Sequence, residues 1–141
     1  MVKMRLKNLI LLVLSVSLAI GVVLTGGCVQ AQIIEDITPL EAFTLIQENH
    51  DNPEFVIIDV RSPNEFAEGH IENAINVDFR SETFRDELNK LDKSKIYLVY
   101  CRIGGRSGSA LEIMKELNFR EAYNMLGGIN VWKSEGLPTT K

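Results

Sequence analysis

The chain has 141 residues, 45% of them hydrophobic and 24% charged, with 15 basic and 19 acidic side chains and a formal net charge of −4. That length holds one domain with a real apolar core and leaves no room for a second domain. An acidic balance of this kind argues against nucleic acid as a partner.

Residues 1–27 read as a leader, outside the fold. Lys3, Arg5 and Lys7 form a basic start, Leu9 to Leu24 is apolar and uncharged, and Thr25, Gly26 and Gly27 put small residues directly before Cys28. This resembles a prokaryotic lipoprotein signal, and the resemblance implies cleavage before Cys28 and acylation of that cysteine, palmitate among the chains expected. Thr25 departs from the commonest box, which has leucine three places before the cysteine. The alternative is an uncleaved anchor, since the 19 residues from Leu9 to Gly27 come close to the ~20 that span a bilayer core. Either way the positive cluster stays cytoplasmic and the domain is expected at the cell membrane, on its extracytoplasmic face.

Losing the three leader cations takes the net charge from −4 to −7, so such a surface is not drawn to anionic lipid. A multiply acylated Cys28 anchors stably where a single chain is marginal. With Cys28 acylated, Cys101 is the only free thiol of the 2 cysteines, and no internal disulfide can form. There is no C-x-x-C and no paired histidine cluster, so neither a metal site nor a cofactor is expected.

Residues 28–32 form a short tether, and its last four residues, Val29 to Gln32, span at most about 14 Å. The domain is expected over residues 33–141. Ile33-Ile34 starts an edge strand, and Thr38-Pro39-Leu40-Glu41 reads as N-cap, N1 proline and capping-box acid of a helix with Leu40, Phe43 and Ile46 on its apolar side. Phe55 to Ile58 is a buried strand with Asp59 to Arg61 at its carboxyl end, where open α/β sheets bind ligands.

Ser62-Pro63-Asn64-Glu65 opens a second capped helix that Gly69 ends. Ala74 to Val77 is a short strand, and Phe84, Leu88 and Leu91 stripe a helix from about Ser81 to Leu91. Ile96 to Tyr100 is an unbroken apolar run, the pattern of a parallel strand covered on both faces. After the loop described next, Ala110, Leu111, Met114 and Leu117 mark an amphipathic helix with Ser107 as its N-cap, closed by Asn118. Ala122 to Met125 is the last strand, Gly127-Gly128 a turn, and Ile129 to Glu135 the last helix, ended by Gly136. Alternating strands and helices predict a parallel sheet with helices on both faces.

Between strand and helix stand Cys101, Arg102, Ile103, Gly104, Gly105 and Arg106. The glycines allow successive N–H groups to turn toward one centre, the sulfur. The helix N-terminus and two arginines add positive charge, a setting in which thiols ionise at pKa ~3.5–7.5 rather than ~8.5. A buried structural cysteine is the alternative, and it does not explain two arginines within five residues.

C-R-I-G-G-R-S at Cys101 to Ser107 resembles the active-site loop of the rhodanese family, C-R-x-G-x-R-S. D-V-R-S-P-N-E-F-A-E-G-H-I at Asp59 to Ile71 and Gly127-Gly128 before Trp132 resemble two further family segments, in order and correctly spaced. The resemblance covers about residues 33–137 and implies a rhodanese-like α/β fold: a five-stranded, mostly parallel sheet with the loop above its central strands. It also implies a sulfurtransferase in which Cys101 carries sulfur as a persulfide. Arg102, Ile103, Gly104, Gly105, Arg106 and Ser107 would bind the substrate and the persulfide, and Arg102 and Arg106 would hold a small anionic donor such as thiosulfate. The acceptor is a thiol or a cyanide-like thiophile. Asp59 is expected to support the loop through hydrogen bonds and Arg61 to pair with Glu65. His70 and Trp132 are expected to be structural and His50 solvated.

Two other functions compete. A cysteine phosphatase or arsenate reductase needs C-x5-R, whereas Cys101 to Arg106 is C-x4-R, a ring better sized for one sulfur atom than for phosphate. A lipid-tethered sulfur-carrier or binding module needs only the fold and a partner, which the residues do not name.

Overall fold

A computed structural model describes residues 31–141. The leader and the acylation expected at Cys28 lie outside the described residues. From Ile33 the chain alternates strands and helices: β1 (Ile33–Ile37), α1 (Pro39–Glu48), β2 (Phe55–Asp59), α2 (Pro63–Ala67), β3 (Ile75–Asn76), α3 (Phe84–Asn89), β4 (Ile96–Tyr100), α4 (Gly105–Glu116), β5 (Glu121–Met125) and α5 (Gly128–Ser134). The five strands form one sheet of order β1-β5-β4-β2-β3, parallel at every pairing. β4 is therefore the middle strand, and its carboxyl end opens between those of β2 and β5.

Successive residues of a strand point to opposite faces, so a sheet covered on both sides needs apolar residues at every position. In β4, Tyr97 and Val99 join Phe84, Leu88, Leu111 and Met114 under α3 and α4. Leu98 and Tyr100 join Ala42, Ile129 and Trp132 under α1 and α5. Each large apolar side chain so buried contributes roughly 1.5–3 kcal/mol. Two cores, one on each face, fix β4 in place.

Both predicted capping boxes form. Glu41 N–H donates to Thr38 Oγ1 at 3.3 Å while Thr38 N–H donates to the Glu41 carboxylate at 2.7 Å; Ser62 and Glu65 repeat the exchange at 3.4 and 3.1 Å. Three local expectations are corrected. Leu40 is 57% exposed, because the N1 proline and Ala42 turn inward and leave it on the outer side of α1. The helix expected from Ser81 is shorter, starting at Phe84, since Ser81 and Thr83 bond to each other in a turn. Ser107 is not an N-cap: α4 starts at Gly105, capped by Gly104 in the left-handed region, with Ser107 inside its first turn.

Just ahead of β1, one side chain is docked on the fold. Gln32, counted above with the tether, donates its amide to the carbonyls of Lys115 and Phe119 at 3.0 and 2.8 Å. At the other end, His70 and Thr140 exchange backbone hydrogen bonds at 2.9 Å. Among the described residues no helix is long and apolar enough to cross a membrane.

Candidate active site

β4 delivers Cys101 at its carboxyl end, and the glycine at 104, with φ +95°, turns the chain directly into α4. That conformation is open to glycine and strained for other residues. The turn folds the loop around its own first side chain. Gly104 N–H donates to Cys101 Sγ at 3.1 Å and the Ser107 hydroxyl donates to the same sulfur at 3.4 Å. Burial alone would push this thiol up. The Ser107 hydroxyl, with the backbone N–H groups of Ser107, Ile103 and Gly104, outweighs that effect and holds the thiol below its ordinary value. Hydrogen bonds to sulfur, rather than the arginines, lead the stabilisation. Replacing Ser107 with alanine removes the largest of them, so the pH midpoint for alkylation of Cys101 by iodoacetamide is expected to move upward in Ser107→Ala, with the fold retained.

The loop is held from below by α5. Ile129 N–H donates to the Cys101 carbonyl at 2.9 Å and Asn130 N–H to the Arg102 carbonyl at 3.2 Å. Gly128, at φ +57°, lets this happen, because a Cβ there would strike the Cys101 carbonyl and lie 2.6 Å from the Arg102 carbonyl carbon. The Gly127-Gly128 pair is thus part of the site and not merely a turn before the last helix.

Two ionic groups depart from expectation. Arg61 pairs not with Glu65 but with Asp59: its Nε donates to both carboxylate oxygens at 3.0 and 2.9 Å and its Nη2 to Oδ2 at 2.6 Å, with Gly69 O also accepting from Nη2 at 2.7 Å. Two residues apart at the end of β2, the pair reaches itself before it reaches the loop. Asp59 makes no hydrogen bond to the loop; it organises the end of β2, which Asn76 joins by donating to the carbonyls of Asp59 and Arg61 at 2.9 and 2.8 Å.

Glu65 instead reaches across to the loop and takes Arg106 in a two-pronged bond, 2.9 Å to each oxygen. These bonds and those from Ser62 outweigh burial and hold the Glu65 carboxyl down at about 2. Arg102 Nε lies 3.6 Å from the same carboxylate. Arg106 is therefore committed to fixing the loop, leaving less of its charge for an anion than the sequence suggests. Ile103 turns its side chain outward at the mouth of the cleft, where it is 68% exposed. Gly105 lines the mouth. His70 stacks on Phe66 and bonds Phe66 O through Nδ1, Trp132 is buried and donates to Pro138 O, and His50 is exposed, all as expected.

The sulfur lies at the floor of a cleft of about 460 Å³ walled by Ser62, Glu65, Arg80, Arg102 and Arg106. Arg80 comes from the β3–α3 loop and nothing in its local sequence distinguishes it from a solvated surface arginine. Among the described residues no cluster could hold a metal ion.

A parallel α/β sheet whose central strand feeds a cysteine into a ring of N–H and O–H donors defines a protein built around one activated thiol. The chain belongs to the rhodanese-like domain family, whose profile matches residues 43–135. It is similar to the thiosulfate sulfurtransferase GlpE of Coxiella burnetii, 34% identical over 100 residues, covering 71% of this chain and 88% of that protein. A rhodanese-like domain protein from Staphylococcus aureus has a crystal structure that superimposes with a TM-score of 0.61 at 32% identity, covering 76% of this chain and 99% of that one. A tRNA uridine(34) hydroxylase of Yersinia pestis is 36% identical over 98 residues, covering 62% of this chain but 27% of that protein.

Proposed function

We propose that this protein is a sulfurtransferase that moves sulfane sulfur from an anionic donor of the thiosulfate class to a thiophilic acceptor through Cys101. The observation that carries this reading is a sulfur bonded by Gly104 N–H and Ser107 Oγ–H at the floor of an open cleft. The Cys101 thiolate attacks the outer sulfur of thiosulfate; a new S–S bond forms, the donor's S–S bond breaks, and sulfite leaves with the bonding pair. The persulfide anion then occupies the ring that held the thiolate, where the same donors stabilise its charge. A second nucleophile, cyanide or a thiolate, takes the outer sulfur and returns Cys101 as the thiolate. Charge is unchanged in each step, so no proton relay is required. Sulfurtransferase relatives and the retained loop cysteine both support this assignment.

The leader and Cys28 extend the proposal to a reaction held at the extracytoplasmic face of the membrane by lipid or by an uncleaved anchor. The test is intact mass of the full chain in detergent after incubation with thiosulfate. One added sulfur atom on Cys101, lost on cyanide addition with release of thiocyanate, is expected. Absence of both the adduct and thiocyanate would refute the assignment.

A further inference from the structure

The cations at the mouth of the cleft are not equivalent. Arg106 is locked onto Glu65 at 2.9 Å through two bonds, and Arg102 leans on the same carboxylate at 3.6 Å. Arg80 lines the same cleft, and among the described residues it forms no ion pair and no side-chain hydrogen bond. Its side chain is exposed, but its backbone is pinned. Arg80 N–H donates to Asp78 Oδ1 at 2.9 Å, Phe79 N–H donates to Val60 O at 3.2 Å, and the Phe79 ring packs edge-on against buried Phe84. An arginine so placed is a guanidinium without an ionic partner among the described residues, carried by a fixed backbone in the wall of the cleft that holds the reacting sulfur.

The local charge asks for such a group. A donor anion approaching Cys101 meets a thiolate and the Glu65 carboxylate, which between them offset two of the three guanidinium groups. The remaining positive charge resides chiefly on the arginine that no carboxylate holds. A guanidinium presents two parallel N–H donors, the geometry that suits two oxygens of a sulfonate or carboxylate.

Resting on the sulfur-transfer reading, we infer that Arg80 is the specificity-determining residue of the donor half-reaction, binding the sulfonate or carboxylate end of the donor while its terminal sulfur faces Cys101. It acts on the incoming anion, whereas the hydrogen bonds to the thiol come from Gly104 and Ser107. A neutral acceptor, arriving after the anionic group has left as sulfite, does not use it.

The test is a comparison of Cys101 alkylation by anionic iodoacetate and neutral iodoacetamide in the full-length protein, wild type against Arg80→Gln. The variant is expected to lower the iodoacetate-to-iodoacetamide rate ratio by about 10-fold, the scale of one charge-assisted hydrogen bond, with both rates taken at a pH where the thiol is fully ionised. KM for thiosulfate rises by a similar factor while discharge of the preformed persulfide by a neutral phosphine is unaffected, and Arg80→Lys keeps most of the ratio. Arg85→Gln, an exposed arginine paired with Glu116 at 2.8 Å, is the control and leaves every reading at the wild-type value. A ratio in Arg80→Gln within twofold of wild type, or a fall that Arg85→Gln reproduces, overturns the inference. A fall in the ratio in a protein that takes no sulfur from thiosulfate upholds Arg80 as the anion-reading residue and overturns the sulfurtransferase assignment instead.

Discussion

Cys101→Ser is expected to abolish sulfur transfer, lowering turnover by roughly 10⁴-fold or more, the scale on which deletion of a nucleophile acts. Serine nearly matches cysteine in volume and can accept the hydrogen bonds that Gly104 and Ser107 now give to sulfur, so the loop keeps its shape. What it lacks is an accessible anion: a hydroxyl stays protonated where the thiol ionises, and its oxygen cannot hold a transferable sulfur. Thermal unfolding should therefore be close to wild type while the sulfur adduct and thiocyanate release vanish together. The same variant separates an enzyme from a binding module. A module that only docks a partner keeps its partner in Cys101→Ser, whereas thiocyanate formation persisting at more than a few per cent of wild type would place the chemistry on another residue.

The second large effect falls on stability. Asp59 is 0% exposed and Arg61 4% exposed, so neither charge has water to turn to if its partner is lost. Asp59→Ala leaves a buried guanidinium whose remaining side-chain partner is Gly69 O, and is expected to cost about 3–5 kcal/mol. Against total stabilities of about 5–15 kcal/mol, that is enough to leave the variant partly unfolded at room temperature. The double variant Asp59→Ala/Arg61→Met removes the stranded charge as well and should recover much of the loss. Urea titration of the wild type, the single and the double variant measures both. A single-variant cost below about 1 kcal/mol, or a double variant no better than the single, would show that this pair is not holding the end of β2.

Much of the scaffold was legible because its causes are local. Apolar runs at Phe55 to Ile58 and Ile96 to Tyr100 can only be strands buried on both faces, and the structure has them side by side at the centre of the sheet. Thr38 with Glu41 and Ser62 with Glu65 meet across a single helical turn, so spacing alone places both caps. Cys101 at a strand end before Gly104 announced a sulfur inside a turn, and the turn does close on it. Where local signals failed, another local bond won. Ser107 looked like a cap, yet its hydroxyl found a better partner in the sulfur and in Gly104 O at 3.1 Å.

What the chain determined by itself was therefore the set of strands and helices, the cysteine that the loop encloses, and the family resemblance its motifs carry. Which charge meets which was decided only in three dimensions. Arg106 takes Glu65 from 41 residues away because α2 and the cysteine loop rise from neighbouring strands, and Arg61 is left to Asp59 for the same reason. Arg80 reaches the cleft because β3 lies beside β2. Caps and strands obey hydrogen bonds and side-chain periodicities a few residues long, whereas a long charged side chain pairs with whatever the strand order brings within a few ångströms.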